Sequence, residues 1–190
     1  MTEKEILATL LNRATLVIEG EISLKTYEYV ASSIVILTGR NSPEITLKIA
    51  SNGGDVDAGL DIYDLLSTYP SKITGVVYAG ARSMATIILQ ACSTRLVCRH
   101  SGILIHHIAR KRVTLDTLRS KGKLGRVVKQ MEEQQKRLYD ILSARTGQTV
   151  KRIRQVCLQD QDMTAEEAVE FGLADAILPI RDDLAKARQS

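Results

Sequence analysis

The chain has 190 residues, of which 44% are hydrophobic and 25% charged, and its net charge is +4. These values are typical of a globular protein of one domain, which we expect to cover residues 1–190. No apolar stretch is long enough to span a bilayer, and residues 1–5 do not resemble a secretion signal. We therefore exclude a membrane protein and expect a cytoplasmic location.

Cysteine and basic residues exclude two further classes of protein. Cys92, Cys98 and Cys157 lack the spacing of metal ligands and are odd in number, so we predict reduced thiols and no metal site. The basic runs 110–112 and 151–152 have no interleaved aromatic residues, and tryptophan is absent. We therefore expect no nucleic-acid partner.

The apolar pattern alternates between strand and helix periods along the chain. It predicts strands at 14–22, 44–51, 72–79, 95–99, 102–108 and 174–180, and helices at 6–13, 24–38, 57–69, 84–92, 114–145, 149–158 and 164–172. Ser23 is a predicted cap, and Thr164 with Glu167 a predicted capping box. Strand–helix alternation favours an α/β fold with a mainly parallel sheet and crossover helices.

The apolar spacing predicts which faces of two helices are buried. In the helix after Ser23 the side chains spaced for burial are Leu24, Tyr27, Ala31, Ile34 and Val35. The helix at 114–145, weakened near its two glycines, would span about 48 Å. Its apolar stripe consists of Val127, Val128, Met131, Leu138, Ile141 and Leu142. Because a core of this size cannot cover such a length, we expect part of the helix to project and pack on another copy.

Ser83 stands between an apolar strand and an apolar helix. A serine at such a turn can present its hydroxyl beside backbone N–H groups, as a nucleophile does, or can simply cap the helix. Gly53-Gly54 follows the preceding strand and lacks the spacing of a phosphate-binding loop. Its N–H groups could lie beside the serine and form an oxyanion hole.

A hydroxyl nucleophile needs a base, and histidine is the usual one. The chain has three histidines, and two of them, His106 and His107, follow an apolar strand and must face opposite sides. The spacing does not choose between them. Asp160 and Asp162 follow a short helix; either could orient an imidazole, and either could be a solvated turn residue.

Five stretches, in this order, resemble the ClpP family of self-compartmentalising serine peptidases. They are Gly20-Glu21-Ile22, the run 51–64 (SNGGDVDAGLDIYD), the run 81–85 (ARSMA), Ile105-His106, and the closing segment formed by Thr146-Gly147-Gln148, Asp160 and the run 163–175. The resemblance covers residues 10–178, nearly the whole chain. It implies the ClpP/crotonase-like fold, in which the projecting helix belongs to a handle region at 109–145, between a short N-terminal segment at 1–13 and a polar tail at 181–190.

The resemblance also implies roles for individual residues. Ser83 would be the nucleophile, His106 the base and Asp160 the orienting acid, and the Gly54 and Met84 N–H groups would form the oxyanion hole. Substrate would lie along Gly53, Gly54, His107 and Ile108. Three residues depart from the family pattern: Asn52 replaces a proline, Arg82 replaces a small residue beside the nucleophile, and His107 replaces the usual glutamine.

The implied protein is a serine endopeptidase without a cofactor, which cleaves unfolded polypeptides inside two stacked heptameric rings. An AAA+ unfoldase would feed the chamber. Three alternatives stay open from sequence alone. The chain could be a non-catalytic or weakly active ring subunit, a phage capsid-maturation peptidase, or an acyl-CoA enzyme of the related crotonase fold.

Overall fold

The computed structural model of the protein describes residues 2–109 and 113–179. Within these residues a six-stranded sheet has the order β1-β2-β3-β4-β6, and β5 pairs with β3 beyond the end of β4. The strands are β1 Thr15–Ile22, β2 Ile45–Gly54, β3 Ile73–Arg82, β4 Thr94–Cys98, β5 Ile103–Leu104 and β6 Ala176–Leu178. All five strand pairs are parallel, which confirms the predicted α/β class.

Eight helices in the described ranges connect and flank the strands. They are α1 Glu3–Asn12, α2 Leu24–Thr38, α3 Val56–Ser67, α4 Met84–Leu89, α5 Leu115–Arg119, α6 Lys121–Thr146, α7 Val150–Gln159 and α8 Ala165–Phe171. The predicted caps are present: Ser23 precedes α2, and Thr164 forms a capping box with Glu167. Gly172 ends α8 in the left-handed conformation that favours glycine.

The core lies on the central strands. Leu47 and Ile49 of β2, Val77 of β3 and Val97 of β4 are completely buried. A parallel sheet covered by helices excludes water from its middle strands, which explains their β-branched and leucine side chains. Because β2 and β3 are parallel, their carboxyl ends lie at the same edge of the sheet, where Ser51 pairs with Ala81.

The predicted apolar face of α2 is right only in part: Tyr27 and Ile34 pack half-buried against the core, but two other residues of the predicted face do not. Leu24 and Val35 are 65% and 72% exposed, whereas Val30, Ser33 and Leu37 are buried. Ser33 tolerates burial because its hydroxyl donates to the Tyr29 carbonyl at 2.7 Å. A polar residue thus completes the buried stripe at 30, 33 and 37, and the predicted stripe lies partly on the outer side of the helix.

The predicted helix 114–145 is two helices, and the break is at Ser120 rather than at the two glycines. Ser120 has ψ of 107° and is both the C-cap of α5 and the N-cap of α6, where its hydroxyl accepts from the Lys123 N–H. Serine side chains favour caps over helix interiors because they bond to nearby backbone. We call α5 and α6 together the α5–α6 arm.

Several other boundaries differ from prediction, and three of them bear on the region of Ser83. The strand expected at 102–108 pairs only over Ile103–Leu104, and the helix expected at 84–92 ends at Leu89. Strand β3 instead continues beyond residue 79 to Arg82, which brings Ser83 directly to the strand end. The basic run 110–112, Ile180 of the last predicted strand and the tail 181–190 lie outside the described residues.

A buried cation joins the last third of the chain to the sheet. The Arg95 side chain is 8% exposed and forms an ion pair with Asp175. It also donates to the Gln90 amide oxygen at 2.6 Å and to the Gly172 carbonyl at 2.8 Å. Burial alone would raise the pKa of Asp175, but hydrogen bonds from Arg95 and the charges of Arg95 and Arg145 outweigh it and hold this pKa below its ordinary value.

We expect Asp175→Asn to lower the free energy of unfolding by about 2 kcal/mol at pH 7, because it leaves a buried cation without its counterion while Asp175 itself is partly exposed. Since the folded-state pKa lies below the unfolded one, the stabilisation is complete above about pH 5 and is lost as the pH falls through the folded-state pKa. Thermal unfolding at pH 7 and at about pH 3.5 measures the difference. Asp140→Asn, which breaks an exposed pair with Lys136, is the control. A gap between wild type and Asp175→Asn that widens in acid would contradict this assignment.

Candidate active site

Ser83 occupies a strained turn between β3 and α4. Its φ of 55° and ψ of −123° lie outside the regions that residues with a side chain prefer, and its side chain makes no capping hydrogen bond. The simple N-cap interpretation is therefore wrong. The Ser83 N–H donates to the Leu104 carbonyl at 2.9 Å, and the Ser83 carbonyl accepts from the Thr86 N–H at 3.1 Å. These hydrogen bonds fix the backbone on both sides of Ser83, and the Ser83 hydroxyl takes no part in capping α4.

Thr86, which sequence reasoning missed, supports this turn from below. Its side chain is completely buried, and its hydroxyl lies 2.7 Å from the Ala81 carbonyl and 2.9 Å from the Leu104 carbonyl. The hydroxyl therefore joins the ends of β3 and β5 directly beneath Ser83. A buried threonine in an apolar helix is the one local signal that could have indicated it.

The Gly53-Gly54 turn lies against Ser83, as predicted from its place after the neighbouring strand. A Cβ atom on Gly53 would be 2.6 Å from the Ser83 Cβ and 3.0 Å from the Met84 nitrogen. Gly53 and Gly54 have φ of 90° and 158°, and a side chain on Gly54 would also collide with the Ile22 backbone. Only glycine permits this approach.

One backbone N–H group beside Ser83 is suited to an oxyanion. Met84 is the first residue of α4, so its N–H has no acceptor within the helix. The Gly53 N–H donates to the Ser51 hydroxyl at 3.0 Å, and that hydroxyl donates to the Gly20 carbonyl at 2.6 Å. Ser51 thereby fixes the turn that carries Gly54, and this too was missed from sequence.

The two neighbouring histidines have different surroundings. The Nδ1 atom of His106 lies 3.6 Å from the Oδ1 atom of Asp160. The His107 ring instead packs edge-on against Tyr139 of α6, with ring centroids 6.2 Å apart. The structure thus brings Asp160 to His106, the pairing that the resemblance implied.

Asp162, the other candidate acid, has a different partner. Its two carboxylate oxygens accept from Nε and Nη2 of Arg82, at 2.7 Å and 2.8 Å. The third donor of the same guanidinium, Nη1, reaches the Asn52 amide oxygen at 3.0 Å. The hydrogen bond with Asp162 raises the pKa of Arg82. Two residues that depart from the family pattern, Arg82 and Asn52, are therefore in contact.

A pocket of about 810 Å³ opens beside Ser83. It brings together nearly all the predicted site residues. The residues predicted to carry chemistry or bind substrate that line it are Gly53, Gly54, Ser83, Met84, His106, His107 and Ile108. Helix α6 forms the opposite wall and is attached there by two hydrogen bonds, from Ile108 N–H to Gln135 at 2.7 Å and from Gln134 to Asp57 at 2.6 Å.

Two kinds of feature are absent from the described residues. In the ranges 2–109 and 113–179, no three histidine, cysteine or acidic residues are grouped so that they could hold a metal ion. No helix within those ranges combines the length and apolar character needed to cross a membrane.

The fold and site define an α/β protein with a serine at a strained strand-to-helix turn, an adjacent glycine pair and a histidine–aspartate pair. Comparison with known proteins agrees with that class. The family model of the Clp protease matches residues 1–181. The chain belongs to the Clp protease family, whose members are in general serine peptidases.

The chain is similar to two named relatives and to one solved structure over most of its length. The chain is 33% identical to ATP-dependent Clp protease proteolytic subunit 4 of Rhodococcus jostii (strain RHA1), over 92% of this chain and 89% of that protein. It is 30% identical to subunit 3 of the same strain, over 89% and 83%. The crystal structure of the ClpP protease catalytic domain from Plasmodium falciparum superposes with a TM-score of 0.81 and 25% identity, over 95% of this chain and 93% of that one.

We expect Gly53→Ala to reduce labelling of Ser83 by a fluorophosphonate at least about 100-fold, because the new methyl group would displace the nucleophile or the oxyanion turn. Labelling rate and circular dichroism are measured together. Gly122→Ala is the matched control, since a Cβ there meets no atom within 4 Å. Equal labelling of the two variants would show that the glycine turn does not constrain the serine.

Proposed function

We propose that this chain is a serine endopeptidase in which Ser83, His106 and Asp160 act as a triad. The observation that carries the proposal is that Ser83 and His106 line one pocket, with Asp160 3.6 Å from Nδ1 of the same imidazole. The membership in a family of serine peptidases supports it.

The imidazole contact assigns its two nitrogens. Since Nδ1 faces Asp160, Nε2 is the atom available to Ser83. The Ser83 hydroxyl would attack a peptide carbonyl while Nε2 takes its proton, and the resulting imidazolium would return that proton to the departing amine. The Asp160 carboxylate would hold the ring and stabilise its positive charge. The separation of 3.6 Å is roughly 0.6 Å longer than a hydrogen bond, as is common for catalytic pairs in the absence of substrate.

The Gly54 and Met84 N–H groups would stabilise the tetrahedral intermediate. Both belong to backbone that side chains beneath fix in place, Ser51 under the glycine turn and Thr86 under the serine turn. Donors that are already oriented need no rearrangement when charge develops on the carbonyl oxygen. Removing one such donor typically slows a reaction by 10²–10³-fold.

The pocket favours an extended polypeptide as substrate. Gly53, Gly54, His107 and Ile108 line the pocket on one side, and Leu138 and Leu142 of α6 add apolar side chains to the other. We infer that an unfolded chain lies between these sides and inserts an apolar side chain toward α6. The relatives' names describe proteolytic subunits of an ATP-dependent protease. An AAA+ unfoldase that supplies such chains is therefore part of the proposal.

Surface on the α5–α6 arm supports a ring assembly, for which we propose two stacked heptamers. Leu115, Leu118 and Val128 are 59%, 53% and 45% exposed. Leu138 and Leu142, counted in the predicted stripe, are buried within the chain, and Met131 lines the pocket. The exposed apolar side chains that another copy could contact therefore lie in α5 and the first half of α6.

Ser83→Ala and His106→Gln test the proposed chemistry, with His107→Gln as the matched control. We expect the first two to abolish peptide hydrolysis, because they remove the nucleophile and its base, and the control to retain most of it. Hydrolysis of an unfolded protein and fluorophosphonate labelling are measured on assembled particles of each variant. Equal losses at His106 and His107 would contradict the assignment of the base. A wild-type protein that neither hydrolyses peptides nor takes the label would instead identify a non-catalytic ring subunit.

We expect Val128→Asp to halve the mass of the particle by separating its rings, since it places a charge in an apolar contact. The subunit itself should stay folded, because Val128 is already 45% exposed. Analytical ultracentrifugation measures the mass. Leu158→Asp, the same substitution at a 73% exposed leucine outside the arm, is the control. A wild-type protein that sediments as a monomer would rule out the ring.

A further inference from the structure

We propose that Arg82 is a positioning residue, which grips Asp162 and Asn52 and so holds the loop of Asp160 and the Gly53-Gly54 turn against the strand end that carries Ser83. This inference rests on the proposed function. It concerns a side chain that departs from the family pattern and that no step of the proposed chemistry uses.

The guanidinium of Arg82 contacts two elements besides its own strand. It binds Asp162 with two parallel hydrogen bonds of 2.7 Å and 2.8 Å and Asn52 with a third of 3.0 Å. Asp162 is two residues from Asp160, and Asn52 is next to Gly53. Arg82 itself precedes Ser83, so one planar cation joins the backbone segments of the nucleophile, the acid and the oxyanion turn.

Two glycines make room for this ion pair. A Cβ atom on Gly80 would lie 2.8 Å from Arg82 Nη1, and one on Gly102 would lie 3.1 Å from Asp162 Cγ. Gly80 also has φ of 135°, a conformation that side chains disfavour. The backbone at the end of β3 and just before β5 thus passes close to the ion pair.

The Asp160 loop needs such an attachment. Asp160 ends α7 with φ of 48°, and its side chain is 69% exposed, so its position depends on what holds the following residues. Met163 exchanges backbone hydrogen bonds with Ile103 at 3.1 Å and 2.8 Å. Asp162 adds a side-chain attachment between that bridge and Asp160. The bridge fixes the loop to β5, and Arg82 fixes it to β3.

The expected sizes of two effects, on the reaction rate and on global stability, distinguish a positioning role from a stabilising one. The two side chains are 32% and 43% exposed, and ion pairs of that exposure contribute little to global stability. A displacement of about 1 Å in a catalytic group, by contrast, can slow a reaction about 100-fold. The described residues that line the pocket include Asn52 but not Arg82, so a contact between Arg82 and substrate forms no part of this proposal, and KM tests for one.

The experiment compares Arg82→Ala, Arg82→Lys, Asp162→Ala and the double alanine variant as assembled particles. We expect kcat for peptide hydrolysis to fall about 10–100-fold in each alanine variant, with KM within about twofold of wild type. The double variant should be no slower than the slower single one, because both remove the same contact. Arg82→Lys should recover only part of the rate, since an ammonium cannot form the two parallel bonds.

Two further measurements separate positioning from a structural role. Amide hydrogen exchange should quicken in a peptide covering residues 159–163, while the melting temperature changes by about 3 °C or less. Arg40→Ala is the control: it removes an exposed arginine that bonds Asn12 near the opposite, amino edge of the sheet. We expect it to change none of these quantities.

The outcomes are distinct. Wild-type kcat in the alanine variants, a change in KM alone, or a rate loss matched by a melting temperature more than about 5 °C lower would each overturn the positioning role. Unchanged exchange at 159–163 would overturn the attachment itself, whatever the activity. A wild-type protein without peptidase activity or labelling would overturn the proposed function and the positioning role together, while quicker exchange would still support the attachment.

Discussion

The close approach of the Gly53-Gly54 turn to Ser83 is the constraint on which the rest of the site depends. With only 2.6 Å between the Ser83 Cβ and the place of a Gly53 Cβ, the two backbones pack with no room for a side chain between them. The strained conformation of Ser83, which costs about 1–3 kcal/mol, persists because Leu104, Thr86 and the glycine turn surround it. Parallel pairing of β2 with β3 creates this proximity, since it places the carboxyl ends of both strands at one edge.

Polar side chains beneath that edge give the site its rigidity. Ser51 and Thr86 are buried, yet their hydroxyls are satisfied by backbone groups of two different segments each. A buried hydroxyl with both partners in place specifies one arrangement more strictly than an apolar side chain, because any other arrangement leaves a polar group unpaired. The backbone of the glycine turn and that of the serine turn are each fixed in this way.

Sequence reasoning succeeded where the signal is local and failed where it is not. The order of strands and helices, the turn at Ser83 and the capping box at Thr164 follow from neighbouring residues. The buried face of α2 did not, since Ser33 breaks the apolar stripe and is accommodated only through Tyr29. The choice between Asp160 and Asp162 depended on the resemblance, because only tertiary structure shows that Arg82 occupies one of them. The roles of Ser51 and Thr86 likewise depend on partners in other segments of the chain.

The wide sequence separation of Arg82 and Asp162 also has a consequence during synthesis of the chain. Its partners are 80 residues apart in sequence, and at roughly 5–20 residues per second a ribosome needs roughly 4–16 s to add that length. During that interval the segment carrying Ser83 has been synthesised but the segment carrying Asp160 has not. With the roles proposed above, a nascent or truncated chain would contain the nucleophile without its orienting acid, and the site could not be completed before residue 160 of 190 has been made.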